Sequence, residues 1–415
     1  MSAEDIQQLT AHLFRENSGK MVAVLSKIYG LHQLEAITDI VQDAFETAIN
    51  KWKYGGLPEN PSAWLMTVAK NKAVNYFKRD SRLDRSGETE ISKAQTEQPD
   101  AVFLDDEVQD SQLRLLLTCC HPSFSKKNQI LLTLSILSGF GRKELANALM
   151  MEEEAVKKAL GRTKKHLRED IRILDSPSSL SSVERVNVVH TILYLMFNEG
   201  YKSTGSADLI NHDLCFEAIR LAKLLCVRKT ALVHETEALL AIMFFGLARF
   251  PARTSADGKI MTLEKQDRSL WDVRFIKEGD HYLDRSKKAA EISKYHIEAI
   301  VSSIHCHASD FKDTDWNQIY YLHEQLEKIE YSELGQLNKL VALSYIEGPS
   351  AVIPQLEQIK QSGTLRNHYL LYSLEGDLLA RMNKPALAKR SFKRAYELSK
   401  NQIEQEFLND RILEL

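Results

Sequence analysis

The chain has 415 residues, of which 44% are hydrophobic and 27% are charged, and its formal net charge is -3. This length allows two to four domains with sizeable cores, and the composition excludes a disordered or membrane-embedded chain. Because the net charge is slightly negative, any contact with nucleic acid must come from local basic patches. Five scattered cysteines form no disulfide framework and the N-terminus lacks a secretory signal, so we expect a cytoplasmic protein that makes no membrane contact.

The domain organisation follows from the spacing of apolar residues. Only 17 glycines and 9 prolines occur, and apolar residues recur three or four positions apart, which predicts an all-α fold. The first predicted domain covers residues 1–82. Residues 83–110 carry few apolar side chains and predict a flexible acidic linker. A second domain is predicted over 111–174, and a helical extension over 183–415.

The clearest local pattern is a trio of predicted helices over residues 130–137, 142–149 and 153–170. Leucine and valine recur at helical spacing on the second and third helices, and Ala146 is small enough to let them cross closely. This pattern predicts a helix-turn-helix whose third helix enters the major groove of DNA. The cations expected to contact DNA are Lys157, Lys158, Arg162, Lys164, Lys165 and Arg168. The alternative is a pair of packed helices with a solvated basic face.

The N-terminal domain contains three blocks that carry a family resemblance. Residues 39–48 have the sequence DIVQDAFETA, residues 60–73 NPSAWLMTVAKNKA and residues 76–79 YFKR. With the helix-turn-helix following after a linker, they closely resemble sigma-70 family factors of the extracytoplasmic-function type. The rest of the chain resembles a subgroup of these factors with a tetratricopeptide-like C-terminal extension. Its repeat pattern consists of Tyr372, Gly376, Leu379, Ala388, Phe392 and Ala395.

The resemblance implies a transcription initiation factor that binds core RNA polymerase and directs it to promoter DNA. Such a factor is not an enzyme and needs neither a cofactor nor a metal. The expected docking face for the clamp helices of the largest polymerase subunit consists of Asp39, Gln42, Asp43 and Glu46, while Val41, Ala44 and Phe45 should face the core. The alternative is that these polar residues form only the solvent-exposed face of an amphipathic helix and bind no partner.

The resemblance also assigns promoter contacts. The residues expected at the minus-10 element are Trp52, Tyr54, Lys70, Asn71, Asn75, Lys78 and Arg79. Strand separation needs aromatic side chains that stack on the unpaired bases and cationic side chains that contact the backbone. The available aromatic rings are Trp52, Tyr54, Tyr76 and Phe77. Trp64 is expected in the core. The second domain should recognise the minus-35 element beside the polymerase flap.

The extension is expected to modulate activity by binding a regulatory protein or a ligand. Its polar segments at residues 198–200 and 266–268 line a groove or cap helices. Cys119, Cys120 and His121 have poor spacing for zinc, and a buried turn ended by Pro122 is expected. A second hypothesis is a stand-alone helix-turn-helix regulator with a repeat-built sensor domain. Residues 39–79 favour the first hypothesis, because an ordinary regulator has no use for a polymerase-docking helix followed by a melting helix.

Overall fold

A computed structural model describes residues 3–83, 105–149, 151–174, 183–201, 211–227, 232–255, 257–362, 364–399 and 402–415. Throughout these residues the fold is all-α, as predicted, and its only β pairing is an isolated bridge between Thr254 and Ile260. The chain forms two compact units. The first comprises residues 1–196 and 227–232, and the second comprises residues 197–226 and 233–415.

Among the described residues, seven α-helices lie entirely in the first unit: α1 (Ala3–Tyr29), α2 (Leu34–Gly55), α3 (Pro61–Leu83), α4 (Asp105–Cys119), α5 (Lys126–Leu132), α6 (Arg142–Ala148) and α7 (Glu153–Leu174). Helix α8 (Val183–Tyr201) begins in the first unit and ends in the second. The helices that follow are α9 (His212–Val227), α10 (Val233–Ala248), α11 (Val273–Ser286), α12 (Lys294–His307), α13 (Trp316–Ile329), α14 (Glu333–Ile346), α15 (Pro349–Ser362), α16 (Tyr369–Arg381), α17 (Pro385–Leu398) and α18 (Gln402–Leu413).

Helix α1 organises the core of the first unit. Its Met21 and Leu25 are fully buried one turn apart, and α2, α3 and α4 all pack against it. On α3 the buried positions Leu65, Ala69 and Ala73 recur every four residues, so one stripe of the helix faces inward. The two small alanines allow α3 to approach its neighbours closely. The result is a single core shared by the two predicted N-terminal domains.

The structure corrects the predicted linker at its C-terminal end. Residues 105–110 belong to α4, which packs on α1 through a face that contains the buried side chains of Leu115 and Leu116. The polar residues 105–110 are thus helical because they continue a helix whose later turns are packed in the core, which their own composition does not reveal. Residues 84–104, and the predicted hinge at 175–182, lie outside the described residues.

The second unit is a succession of packed helix pairs, among them α10 with α11, α13 with α14 and α16 with α17. Close helix approach at two of these pairs depends on glycine. A Cβ atom at Gly376 would lie 2.7 Å from the Phe392 ring, and one at Gly279 would lie 2.6 Å from the Phe245 ring. Within the described ranges, every helix is too short or too polar to cross a membrane.

Candidate polymerase and promoter surfaces

Helix α2 separates its polar and apolar residues as predicted. Val41, Ala44 and Phe45 are buried, which confirms their expected orientation. The four predicted docking residues are all exposed: Asp39, Gln42, Asp43 and Glu46. The Nζ atom of Lys72 on α3 donates to Oδ2 of Asp43 at 2.7 Å. The acidic face of α2 therefore has a lysine at its edge, a neighbour that the sequence did not suggest.

Helix α3 presents a polar face that matches most of the predicted minus-10 set. It begins at Pro61, and the side chain of Asn60 accepts a hydrogen bond from the backbone N–H of Ala63 at 3.0 Å. This cap fixes where the helix starts. The predicted residues on α3 are exposed except for the half-buried Lys70: Asn71, Asn75, Lys78 and Arg79. They lie on one helix with the partly exposed ring of Tyr76, so a cationic and aromatic track is present.

Trp52 is not part of this surface, and its predicted role is corrected. Its side chain is only 3% exposed, and its ring centroid lies 5.4 Å from that of Trp64. Phe77 is also buried and stacks on Tyr29. Tyr54 is 84% exposed. The last turn of α2 therefore directs one aromatic side chain inward and another to solvent, and the sequence alone did not decide which.

Helices α6 and α7 form at the predicted positions, whereas the helix predicted over residues 130–137 is divided: α5 ends at Leu132, and Thr133–Leu137 form a π-helical segment. Leu145 of α6 and Val156, Leu160 and Leu167 of α7 are buried, so the two helices pack through the predicted apolar faces. The hydroxyl of Ser125 accepts from the backbone N–H of Asn128 and caps α5. On α7 the exposed cations are Lys157, Lys158, Arg162 and Lys165. The side chain of Arg168 lies outside what the structure describes.

Lys164 differs from the other predicted DNA contacts. Its side chain is half-buried within the first unit, near Glu35 and Asp39 of α2. Burial lowers the pKa of Lys164, and the two carboxylates oppose that shift. Asp39 was predicted to contact polymerase and Lys164 to contact DNA. The structure thus places a member of one predicted site beside a member of the other.

This proximity is part of a wider contact between α1 and the segment before α6. A Cβ atom at Gly19 of α1 would lie 1.8 Å from the carbonyl oxygen of Leu137, so backbone touches backbone there. At the preceding residue of α1, the hydroxyl of Ser18 would lie 2.5 Å from a Cβ atom at Gly139. Gly139 also has φ = 67°, a conformation that favours glycine. The sequence did not predict this contact between the two N-terminal domains.

The segment Cys119–His121 forms a turn of the kind expected. The side-chain amide of Gln129 donates to the carbonyl oxygens of Cys120 and His121 at 3.2 and 2.9 Å. Burial raises the pKa of Cys120 to about 12. In the part of the chain that the structure describes, no group of three or more His, Cys, Asp or Glu side chains is arranged to hold a metal ion.

The polar segment at residues 266–268 makes local contacts. Asp267 accepts from the backbone N–H of Ser269, and Arg268 Nη1 donates to the carbonyl oxygens of His305 and Ala308 at the end of α12. The expected helix capping is therefore present. Two further arginines, Arg249 and Arg253, lie in the same region and were not singled out from the sequence, because single arginines after an apolar helix resemble ordinary C-terminal residues.

Sigma-70 region 2 matches residues 13–83, which cover most of α1 and all of α2 and α3, with the acidic and cationic faces described above. The first unit therefore contains a region that is similar to region 2 of sigma-70 factors. A family of unknown function, DUF6596, matches residues 185–287. An uncharacterized protein of Rhizobium meliloti (strain 1021) is 31% identical over 377 residues, which cover 89% of this chain and 88% of that protein. No solved structure matches.

The match to sigma-70 region 2 supports a role in transcription initiation. Proteins of the sigma-70 family work with core RNA polymerase and promoter DNA. The surfaces of α2 and α3 lie inside the matched region, whereas α7 and the whole extension lie outside it.

Proposed function

We propose that this protein is a sigma-70 factor that docks on core RNA polymerase through α2 and recognises promoters through α3 and α7. One observation carries the proposal: inside the segment that matches sigma-70 region 2, α2 exposes all four predicted docking residues and buries the apolar residues between them. An amphipathic helix of a regulator would show the same polarity. The polar face of α3, which follows directly, favours the sigma factor over a stand-alone regulator.

The minus-10 element is proposed to contact α3 and the residues just before it. Tyr54 and Tyr76 supply exposed rings, and Lys78 and Arg79 supply charge for the backbone of the separated strand. Trp52 takes no part in this contact, because it is buried. The minus-35 element is proposed to contact α7 as the recognition helix of a helix-turn-helix, mainly through Lys157, Lys158, Arg162 and Lys165.

In the first unit, Lys164 of α7 packs near Asp39 of α2, and we call this arrangement the closed packing of the first unit. It imposes a condition on the proposed function. Asp39 and Lys164 cannot face each other while one contacts polymerase and the other contacts DNA. We therefore propose that α2 and α7 separate when the protein binds core polymerase. Self-association of an acidic and a basic surface would also suppress contact with DNA by the free protein.

The extension, residues 183–415, is proposed to be tetratricopeptide-like in its last part and to modulate activity through a regulatory protein or a ligand. The packing of Gly376 on Phe392, with Ala388 and Ala395 buried, supports the repeat. A truncation after Leu174 is a poor test, because residues up to Met196 belong to the first unit. Phe392→Ala in the full chain is preferable, and unchanged transcription by a variant with a disrupted second unit would contradict a modulating role.

The function is tested by transcription from genomic DNA fragments with purified core polymerase, with the 5′ ends mapped. We expect discrete start sites that share two spaced elements. The double variant Lys157→Gln/Lys158→Gln should lose those starts, while the matched pair Lys126→Gln/Lys127→Gln on α5 should keep them. DNA binding should also lose about two units of salt dependence in the first variant only. Start sites unaffected by changes on α7 would contradict its assignment.

A further inference from the structure

Three arginines gather around two aromatic rings in the second unit. The guanidinium carbon of Arg268 lies 4.5 Å from the ring centroid of Trp271, and that of Arg249 lies 5.7 Å from the same centroid. The guanidinium carbon of Arg253 lies 3.6 Å from the ring centroid of Tyr201. We call these five residues the arginine cluster. Two of its guanidinium groups thus lie against one indole ring.

The arginine cluster has no counter-ion among the described residues. Arg249 Nε donates to the side-chain oxygen of Gln266 at 3.4 Å, and Arg268 Nη1 donates to two backbone carbonyls. Asp310 and Asp313 influence Arg268 only from beyond salt-bridge distance. By contrast, other arginines of the same unit are paired with carboxylates: Arg220 with Glu217, Arg285 with Glu237 and Arg411 with Asp377. The cluster therefore lacks the carboxylate partners that these three arginines have.

Several hydrogen-bond donors of the arginine cluster are buried and have no protein partner. They are Nε of Arg253, Nη2 of Arg268 and Nε1 of Trp271. A buried donor without an acceptor costs about 1–3 kcal/mol, and more when it is charged. Buried cations are normally paired or bound to an anion. Both observations call for acceptor oxygens that carry negative charge.

Neighbouring groups respond to the positive charge of the cluster. Burial alone would raise the pKa of Tyr201, but the charges of Arg249 and Arg253 outweigh it and lower the pKa. Burial lowers the pKa of His305 to about 4, and Arg249 and Arg268 add to that shift. The positive potential that makes protonation of His305 less favourable and deprotonation of Tyr201 more favourable also favours the binding of an external anion.

We propose that Arg249, Arg253 and Arg268, together with the indole N–H of Trp271, bind the phosphate group of a small molecule. A phosphate suits the cluster better than a single carboxylate, because it can bring two negative charges to three cations. It also offers three or more oxygens to donors on different side chains. The arginines lie in residues 185–287, so the site assigns a ligand-binding role to the segment that matches DUF6596.

The test follows the indole N–H signals of the full-length protein labelled with 15N-tryptophan, during titration with inorganic phosphate at constant ionic strength. Trp271→Phe assigns the Trp271 signal. Trp52 is the internal control, because its Nε1 is also buried without a partner but its ring lies against Trp64 instead of an arginine. We expect a saturable shift of the Trp271 signal and none of the Trp52 signal. A nucleoside monophosphate arm distinguishes an organic phosphate from free phosphate, and a succinate arm tests for carboxylates.

Arg249→Gln and Arg253→Gln remove one charge each and should weaken phosphate binding about ten-fold or more. Arg268 is left unchanged, because its contacts with two carbonyl oxygens hold the end of α12. The matched control is Arg274→Gln, whose side chain is 88% exposed and paired with Asp272, and it should bind phosphate normally. Retained dispersion of the other indole signals shows that each variant is folded.

Three results would overturn the proposal: no saturable shift of Trp271, equal binding of succinate, or unchanged affinity in both arginine variants. The measurement contains no polymerase and no DNA. Its failure would therefore leave the sigma function untouched, and a failure of the sigma function would leave this site untouched.

Discussion

The two units of this protein treat buried positive charge in opposite ways. In the first unit, Lys164 lies beside the carboxylates of Glu35 and Asp39 on a neighbouring helix. In the second unit, Arg249, Arg253 and Arg268 lie against aromatic rings, and no carboxylate within the described residues pairs with them. We propose that the first arrangement, which is complementary within the chain, opens when polymerase and DNA bind. The second has no carboxylate partner among the described residues, and we propose that it binds an anion from outside.

The largest expected effect comes from reversing charge on the proposed docking face. Asp43→Lys should weaken binding to core polymerase at least about a hundred-fold, because it removes an interface charge and places a like charge beside Lys72. Fluorescence titration of labelled protein with core polymerase measures this affinity. The matched control is Glu278→Lys, the same change at an exposed acidic position of α11 in the second unit. Equal affinities of the two variants would remove α2 from the polymerase interface.

The closed packing of the first unit can be broken by a single methyl group. Gly19→Ala places a Cβ atom against the carbonyl oxygen of Leu137, and overpacking of this kind costs about 1–3 kcal/mol. We expect α1 and the segment before α6 to separate more often, which would expose Lys164. Acetylation of Lys164 by a water-soluble ester, relative to the exposed Lys165, should rise several-fold by mass spectrometry.

Gly161→Ala is the control for this measurement, because a Cβ at that position of α7 meets nothing within 4 Å. It should leave the reactivity of Lys164 near that of the parent protein. If Gly19→Ala also leaves it unchanged, the two predicted domains are not held together at Gly19. An accompanying gain in polymerase affinity would support the proposed opening.

A glycine-to-alanine substitution in the second unit is expected to change only the stability of that unit, because no separation of helices is proposed there. Gly376→Ala sets a Cβ 2.7 Å from the Phe392 ring and should destabilise the second unit by about 1–3 kcal/mol. Gly335→Ala meets its nearest neighbour at 3.7 Å and should stabilise α14 by up to about 1 kcal/mol. Urea unfolding of both variants measures the difference. A neutral Gly376→Ala would contradict the close packing of α16 on α17.

The smallest expected effect, taken over the first pH unit below 6.5, is a pH dependence that arises in the first unit. Burial lowers the pKa of His190 from 6.5 to about 3, so between these values the unfolded chain binds a proton that the folded chain does not. Stability should therefore fall as the pH decreases below 6.5, by about 1.4 kcal/mol per pH unit from this group. His190→Leu should flatten that part of the stability profile measured by urea unfolding. An unchanged slope would show that other groups set it.

The sequence predicted the local parts of the first unit well. Helices α6 and α7 and the buried face of α2 follow from apolar spacing, which acts over a few positions of the chain. Prediction from the sequence failed where the position of a side chain depends on residues that are distant along the chain. Trp52 and Tyr54 are two positions apart and both aromatic, yet Trp52 is buried with its ring near that of Trp64, twelve residues further along the chain, whereas Tyr54 is exposed.

The same limit explains the two unexpected charge arrangements. Lys164 lies far along the chain from Glu35 and Asp39, and no local pattern connects them. The arginine cluster draws its members from α8, from the segment after α10 and from the approach to α11. Its defining property is the lack of a nearby carboxylate, which a sequence with balanced charges does not reveal.

The most direct test of the sigma function is size-exclusion chromatography of the purified full chain with bacterial core RNA polymerase. We expect the two to co-elute as one complex, and we expect Asp43→Lys to elute separately from polymerase while remaining folded. If the full chain binds duplex DNA but never co-elutes with polymerase, the docking assignment of α2 is wrong. The hypothesis of a stand-alone regulator would then take its place.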